Sequence, residues 1–268
     1  DDEKVIGKTI KDYKIFTYDY TVNLDALQRV WEGKLEPVFP CRIRTTDSTP
    51  ATFSSPVTEK ITSSEKFAKP RVLIPVFPGT NCEYDTARAF EKAGATAETV
   101  VIKNISAADL EDSVNYFEKA IKESQIIMIP GGFSGGDEPE GSGKFITAFF
   151  RNPKIKDAVH DLLKNRDGLM LGICNGFQAL IKLGLVPYGE IVDMTDESPT
   201  LTFNTIARHQ SMMVNTRIAS NKSPWLYGTN VGDIHTVPIS HGEGRFVAPL
   251  SLIQRLANNG QIATQYVD

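Results

Sequence analysis

Cysteine is scarce in this chain of 268 residues: Cys41, Cys82 and Cys174 are the only three, odd in number and far apart. They offer neither a disulfide framework nor a zinc cluster, and they fit a reducing, cytoplasmic setting. Long apolar runs are also missing, since none approaches the roughly twenty residues that cross a bilayer. There is no excess of positive charge, with Lys and Arg numbering 29 against 33 Asp and Glu. A net charge of -4 excludes the basic footprint of a nucleic-acid binder. No Met and no charged-then-apolar leader opens the chain, which starts Asp-Asp-Glu-Lys and reads as a piece of something longer. Internal repeats are absent as well. What remains is ordinary globular composition, 41% hydrophobic and 23% charged, enough for one large domain or one domain with an appendage.

Residues 1–45 do not have the pattern of a domain. Tyr13 to Tyr20 alternates loosely like a strand, and Asn23 is placed to cap a short helix carrying Leu24, Leu27, Val30 and Trp31 on one face up to Gly33. A helix this short is marginal alone, so its apolar stripe is expected to dock on a neighbour. Pro37 and Pro40 break the chain, and residues 46–70, rich in Ser, Thr, Pro and Lys, read as an extended linker or a strap.

From Arg71 the character changes. Apolar runs at 72–77, 99–102, 125–129 and 169–173 alternate with helical spacing at 82–92, 108–122, 144–150 and 155–163. Strands that lack polar alternation, separated by helices, predict an α/β fold with a mostly parallel, doubly wound sheet covered on both faces. The Pro78-Gly-Thr-Asn81 turn, the loop that begins Gly131-Gly132-Phe-Ser134 and Cys174 then fall along the C-terminal strand edge, where such sheets bind ligands. Beyond Leu185 the strand-like runs are shorter, at 191–194, 212–216, 237–240 and 245–247, and extend the sheet or form a small antiparallel ribbon.

Cys174 is the leading nucleophile candidate. The run Gly172-Ile-Cys-Asn-Gly176 ends an apolar strand and opens a helix that closes at Gly184, the spacing of a nucleophile elbow. Backbone N–H groups at the helix start favour a thiolate there. Without further context, a buried structural cysteine is the alternative. A reactive thiol also needs a base, normally histidine, oriented by a third group. Of four histidines, His160 reads as a solvated side chain on a helix, His209 lies in a polar segment, and His235 precedes a strand. His241-Gly-Glu243 puts two candidate groups on one side of an extended segment, as base and orienter or as an ordinary polar turn. The Gly131-Gly132 loop suits anion binding through backbone N–H groups, with the Asn175 N–H as a second donor. Gly141-Ser-Gly-Lys144 is a decoy for a phosphate loop, because Glu138 and Phe145 break the required spacing.

Four segments taken together resemble a known family: Phe77-Pro-Gly-Thr-Asn-Cys-Glu-Tyr-Asp85, Pro130-Gly-Gly-Phe-Ser-Gly-Gly-Asp-Glu138, Gly172-Ile-Cys-Asn-Gly-Phe-Gln178 and His241-Gly-Glu-Gly-Arg-Phe246. In order and separation they are similar to the glutaminase part of phosphoribosylformylglycinamidine synthase, a class I glutamine amidotransferase of purine biosynthesis. The likeness spans about residues 71–268. Residues 1–45 resemble the connector that, in the large single-chain form, follows the synthetase region. The resemblance implies that Cys174 attacks the glutamine side-chain amide and that a glutamyl thioester forms and is hydrolysed. It implies Gly132 and Asn175 as the oxyanion hole, with Gln178, Phe133, Asn81 and Asp85 around the glutamine. It also implies no metal and no cofactor in this chain, with ATP and Mg²⁺ belonging to a synthetase domain on the same polypeptide.

One departure stands out. In the family the His and Glu that complete the triad lie in a later His-x-Glu motif, whereas this sequence ends at Gln265-Tyr-Val-Asp268. His241 and Glu243 match the earlier segment, so the resemblance does not make them triad members. The chain as written is expected to be C-terminally incomplete, with little or no activity alone. The rival readings are a catalytically incomplete pseudo-glutaminase serving as a docking module, and a cysteine-elbow hydrolase of the DJ-1-like type.

Overall fold

The computed structural model describes residues 6–38, 51–57, 61–63, 65–133 and 143–268, in two compact units, Asp1–Ser48 and Thr49–Asp268. Cys41, Ser134 and the 141–142 part of the decoy loop lie outside the described residues.

In the first unit, the expected single strand is a hairpin. β1 (Lys14–Phe16) pairs antiparallel with β2 (Thr21–Asn23), with Lys14 opposite Asn23. The Thr17 hydroxyl accepts from the Asp19 and Tyr20 N–H groups at 3.3 and 3.2 Å and turns the chain inside the stretch that alternation alone makes continuous. Asn23 Oδ1 accepts from the Ala26 N–H at 3.1 Å and starts α1 (Leu24–Gly33), which leaves Leu27, Val30 and Trp31 exposed.

The second unit opens with a parallel sheet. β3 (Arg71–Val76), β4 (Thr96–Val101), β5 (Ile126–Ile129) and β6 (Leu169–Gly172) lie in the order β4-β3-β5-β6. Between them run α2 (Glu83–Lys92), α3 (Ala107–Glu123), α4 (Lys144–Phe150) and α5 (Pro153–Lys164), and α6 (Asn175–Leu183) follows β6. Alternate residues of each strand face opposite ways. Leu73, Ile127 and Ile129 accordingly pack with apolar residues of α3 to α6, whereas Val72, Ile74 and Met128 pack with Ala87 and Phe90 of α2. Helices thus cover both faces, as the unbroken apolar runs require. Phe77, Phe117, Phe149 and Phe150 interlock on the larger side, with Phe77 and Phe117 each 5.5 Å from Phe149 in edge-on geometry.

The remainder is antiparallel and forms its own sheets. After α7 (Leu185–Tyr188) come β7 (Thr200–Thr202), β8 (Gln210–Ile218), β9 (Ile234–His241) and β10 (Arg245–Val247), then α8 (Leu250–Asn258) and β11 (Thr264–Val267). They assemble as β11-β8-β9 and as the ribbon β10-β7. His235 sits inside β9, opposite Thr216, rather than ahead of a strand. The 51–57 segment straps the first of these sheets: Ser55 bridges to Ser220, and the Phe53 N–H donates to Gln265 Oε1 at 2.8 Å.

Two expectations fail here for one reason. Residues 191–194 form no strand, because their backbone partners come from helices: the Ile191 N–H donates to His160 Nε2 at 2.9 Å and the Val192 N–H to the Leu183 carbonyl at 2.9 Å. His160 is therefore a partly buried acceptor holding that segment and not a solvated side chain, and burial, then Lys164 and Lys156, lowers its pKa.

Candidate active site

Three strand ends converge on the site. After β3, the Phe77 N–H donates to Thr80 Oγ1 at 3.0 Å and closes the Pro78 to Asn81 turn. Thr80 then bridges to Gly132 beyond β5, through Asn81 N–H to the Gly131 carbonyl at 3.0 Å and Phe133 N–H to the Gly79 carbonyl at 2.8 Å. Gly132, at φ 117°, has no room for a side chain, since a Cβ there would lie 2.6 Å from the Asn81 nitrogen. Its own N–H takes no part in that bridge.

Beyond β6, Cys174 is the N-cap of α6 at φ 53° and ψ -110°, a conformation that L-residues rarely adopt, with its thiol exposed. The glycines either side are there for packing. A Cβ on Gly172 would come 2.6 Å from the Gly176 carbonyl oxygen, and one on Gly176 would press into the Ile129 carbonyl and stand 2.9 Å from that of Pro130. The first turn of α6 is therefore pressed onto the end of β5. The Ile173 N–H to Ile129 carbonyl bond, 3.1 Å, fixes the same junction. A Cβ on Gly131 would be 3.2 Å from Cys174 Cβ and 3.9 Å from Sγ, so Gly131 packs beside the Cys174 side chain.

Behind the elbow lies a buried polar relay. Asn175 and Gln178 are 1% and 8% exposed. The Asn175 side-chain amide donates to Gln178 Oε1 at 3.1 Å, and Gln178 Nε2 donates to the Glu243 carbonyl at 3.3 Å and to Glu243 Oε2 at 3.4 Å. Glu243 thus stands beside the elbow helix although 65 residues separate it from Gln178.

The expected site residues divide accordingly. Cys174, Asn175, Gly132, Asn81, Gln178 and Glu243 belong to one connected neighbourhood. Phe133 is half exposed at the loop, next to residues outside the description. Asp85 sits on the exposed first turn of α2, paired with Arg88. His241 takes Asn204, not Glu243, as its side-chain partner: Nδ1 lies 2.9 Å from Asn204 Oδ1, while Nε2 is buried with no hydrogen-bond partner among the described residues. Burial, then the neighbouring His209, lowers the His241 pKa. His209 meets Ser240 Oγ through Nε2 at 2.9 Å. Asn204 is the residue that sequence reading passes over; its one signal is a position between two strand-like runs, which does not reveal a partner 37 residues away. Among the described residues, no group of three His, Cys, Asp or Glu side chains is placed to hold a metal ion, and no helix is long and apolar enough to cross a membrane.

A positive-φ cysteine between a parallel strand and a helix, with a glycine packed beside its side chain, defines a cysteine-elbow α/β protein. Residues 69–268 match the family described as the CobB/CobQ-like glutamine amidotransferase domain, and the chain belongs to that family. It is 39% identical over 202 residues to the phosphoribosylformylglycinamidine synthase subunit PurQ of Methanococcus maripaludis, covering 74% of this chain and 67% of that protein. With the subunit of the same name from Aquifex aeolicus it shares 31% over 193 residues, 72% of each chain. The solved structure of PurLQS from Thermotoga maritima superposes with a TM-score of 0.53 at 26% identity, over 75% of this chain and 76% of that one.

Proposed function

We propose that this protein is the glutaminase of a phosphoribosylformylglycinamidine synthase, releasing ammonia from glutamine for amidine formation in purine biosynthesis. The observation that carries the reading is the elbow itself: an exposed thiol at φ 53°, with Gly131 packed beside the Cys174 side chain and a buried Asn175–Gln178–Glu243 relay behind it. The names of its relatives support the choice of substrate.

In this reading the Cys174 sulfur adds to the side-chain amide carbon of glutamine, and the carbonyl oxygen takes the negative charge. The N–H groups of Gly132 and Asn175 receive that oxyanion, Asn175 being in the first turn of α6, where N–H groups have no acceptor within the helix. Collapse breaks the C–N bond. The nitrogen leaves as ammonia, taking up a proton, and a glutamyl thioester remains. Water then adds to the thioester, releasing glutamate and restoring the thiol. Gln178, Asn81 and Phe133 border the bound glutamine; Asp85, on the outer turn of α2, contributes at the rim. ATP and Mg²⁺ are used by the synthetase partner and not by this chain, and both act in the cytoplasm. Residues 1–45 serve as the connector from a preceding synthetase domain, residues 46–70 as its linker, and 71–268 as the glutaminase. That division is supported by the family match beginning at residue 69.

The test is Cys174→Ala in the full chain assembled with its synthetase. Glutamine-dependent ammonia release should fall by about a thousandfold or more, while amidine formation driven by added ammonium salt stays at the wild-type rate. Ammonia release that survives the substitution refutes the assignment. The intact mass of the natural polypeptide decides whether synthetase and glutaminase share one chain.

A further inference from the structure

The stretch from His241 to Gly244 leaves the end of β9 and carries Glu243 to Gln178, behind the elbow. Little in that stretch is self-supporting, since two of its four residues are glycine. Asn204, just beyond β7, supplies what it lacks. Its N–H donates to the Gly242 carbonyl at 2.8 Å. Its side-chain Nδ2 donates to the carbonyls of His241 and Arg208 at 2.8 and 3.0 Å. Its Oδ1 lies 2.9 Å from His241 Nδ1 and accepts from the Gly244 N–H at 3.4 Å. One side chain therefore binds both the backbone and the ring of the same short segment.

These contacts also set a protonation state. Both amide hydrogens of Asn204 are directed at carbonyl oxygens, so Oδ1 can only accept, and His241 Nδ1 must carry the proton. The neutral ring then presents a bare Nε2, in keeping with its burial and the lack of a partner for it among the described residues. The ring lies flat against Gly244, where a Cβ would approach Nδ1 and Nε2 to 2.5 and 2.6 Å. His241 is in this way packed as a fixed part of its segment.

We propose that Asn204 is a positioning residue for the glutaminase reaction: it holds the segment from His241 to Gly244 so that Glu243 meets Gln178 and, through Gln178, the glutamine site beside Cys174 is set. The inference rests on the glutaminase reading and deepens it. Asn204 touches neither substrate nor thiol; it acts through Glu243.

The experiment compares Asn204→Ala with Cys174→Ala in the full chain assembled with its synthetase. Three quantities are read: the KM and kcat for glutamine, the rate with added ammonium salt, and alkylation of the Cys174 peptide by iodoacetamide. For Asn204→Ala, KM should rise about tenfold with kcat reduced less than about threefold, because the segment acts through Gln178, which borders the bound glutamine and does not react with it. The ammonium-driven rate and the alkylation rate should stay within about twofold of wild type, since the elbow is built from other residues. A folded variant whose KM for glutamine is unchanged overturns the proposal. So does an equal fall in the glutamine-driven and ammonium-driven rates, which would make Asn204 merely structural. If Asn204→Ala does not fold, nitrogen–proton correlation of the wild-type imidazoles decides. A neutral His241 protonated at Nδ1 near pH 7 supports the arrangement, and a proton on Nε2 overturns it. Cys174→Ala retaining ammonia release would remove the glutaminase reading itself. An inactive Cys174→Ala beside an Asn204→Ala with unchanged KM removes this inference alone.

Discussion

Replacing Cys174 with glycine should make the protein more stable, and by more than alanine does. Cys174 holds φ 53° and ψ -110°, and the packed junction of α6 with β5 leaves it no alternative. A non-glycine residue in such a region costs on the order of 1–3 kcal/mol. Cys174→Ala retains the Cβ and hence most of that strain. Cys174→Gly removes it, against about 0.5–1 kcal/mol for the extra freedom glycine has in the unfolded chain. No large burial term enters, since the side chain is exposed. The net gain of glycine over alanine is roughly 0.5–2 kcal/mol, which for a unit of this size corresponds to about 2–6 °C in Tm. Paired urea and thermal unfolding of the two variants measures it, with neither showing glutaminase activity. If Cys174→Gly is no more stable than Cys174→Ala, the elbow stores no backbone strain and the reasoning fails.

The glycine contacts give a second prediction. Gly176→Ala would drive a methyl group into the β5 carbonyls, costing about 1–3 kcal/mol and abolishing glutamine hydrolysis although Cys174 remains, as urea denaturation and an ammonia assay would show. A third concerns pH. His160 accepts the Ile191 N–H only while neutral, and its native pKa lies below the unfolded value of 6.5. Its contribution is therefore present above pH 6.5 and is lost as pH falls from there towards the lowered native value, where the unfolded chain takes up a proton that the native ring resists. His160→Gln keeps an acceptor but does not titrate, so its Tm should decline less steeply than wild type between about pH 7 and 5.5; parallel slopes would refute the assignment.

Local chemistry made the parallel half of the fold legible. The apolar runs at β3, β5 and β6 are each covered by helices directly before or after them, β6 only partly buried, so composition and spacing carry the signal. Asn23 could be read as a cap because its partner, Ala26, is three residues away. Where the partner is distant, the sequence is silent. Residues 191–194 carry β-forming side chains, but His160 and Leu183 take their N–H groups. His160 itself looks like a surface residue until residue 191 returns to it. The site shows the same division. Cys174 and its glycines are one local motif, whereas the partnership of His241 with Asn204, and of Glu243 with Gln178, exists only once two separately built sheets have come together.

That last contact bears on the order of assembly. Everything that makes the elbow, from β3 to α6, precedes residue 184, and the segment that meets it through Glu243 lies some sixty residues later. Chains fold as they are synthesised, N-terminal parts first. The elbow is therefore formed before the segment that meets Gln178. In a newly made chain Gln178 passes through an interval without its Glu243 partner, and docking of the antiparallel sheets ends it.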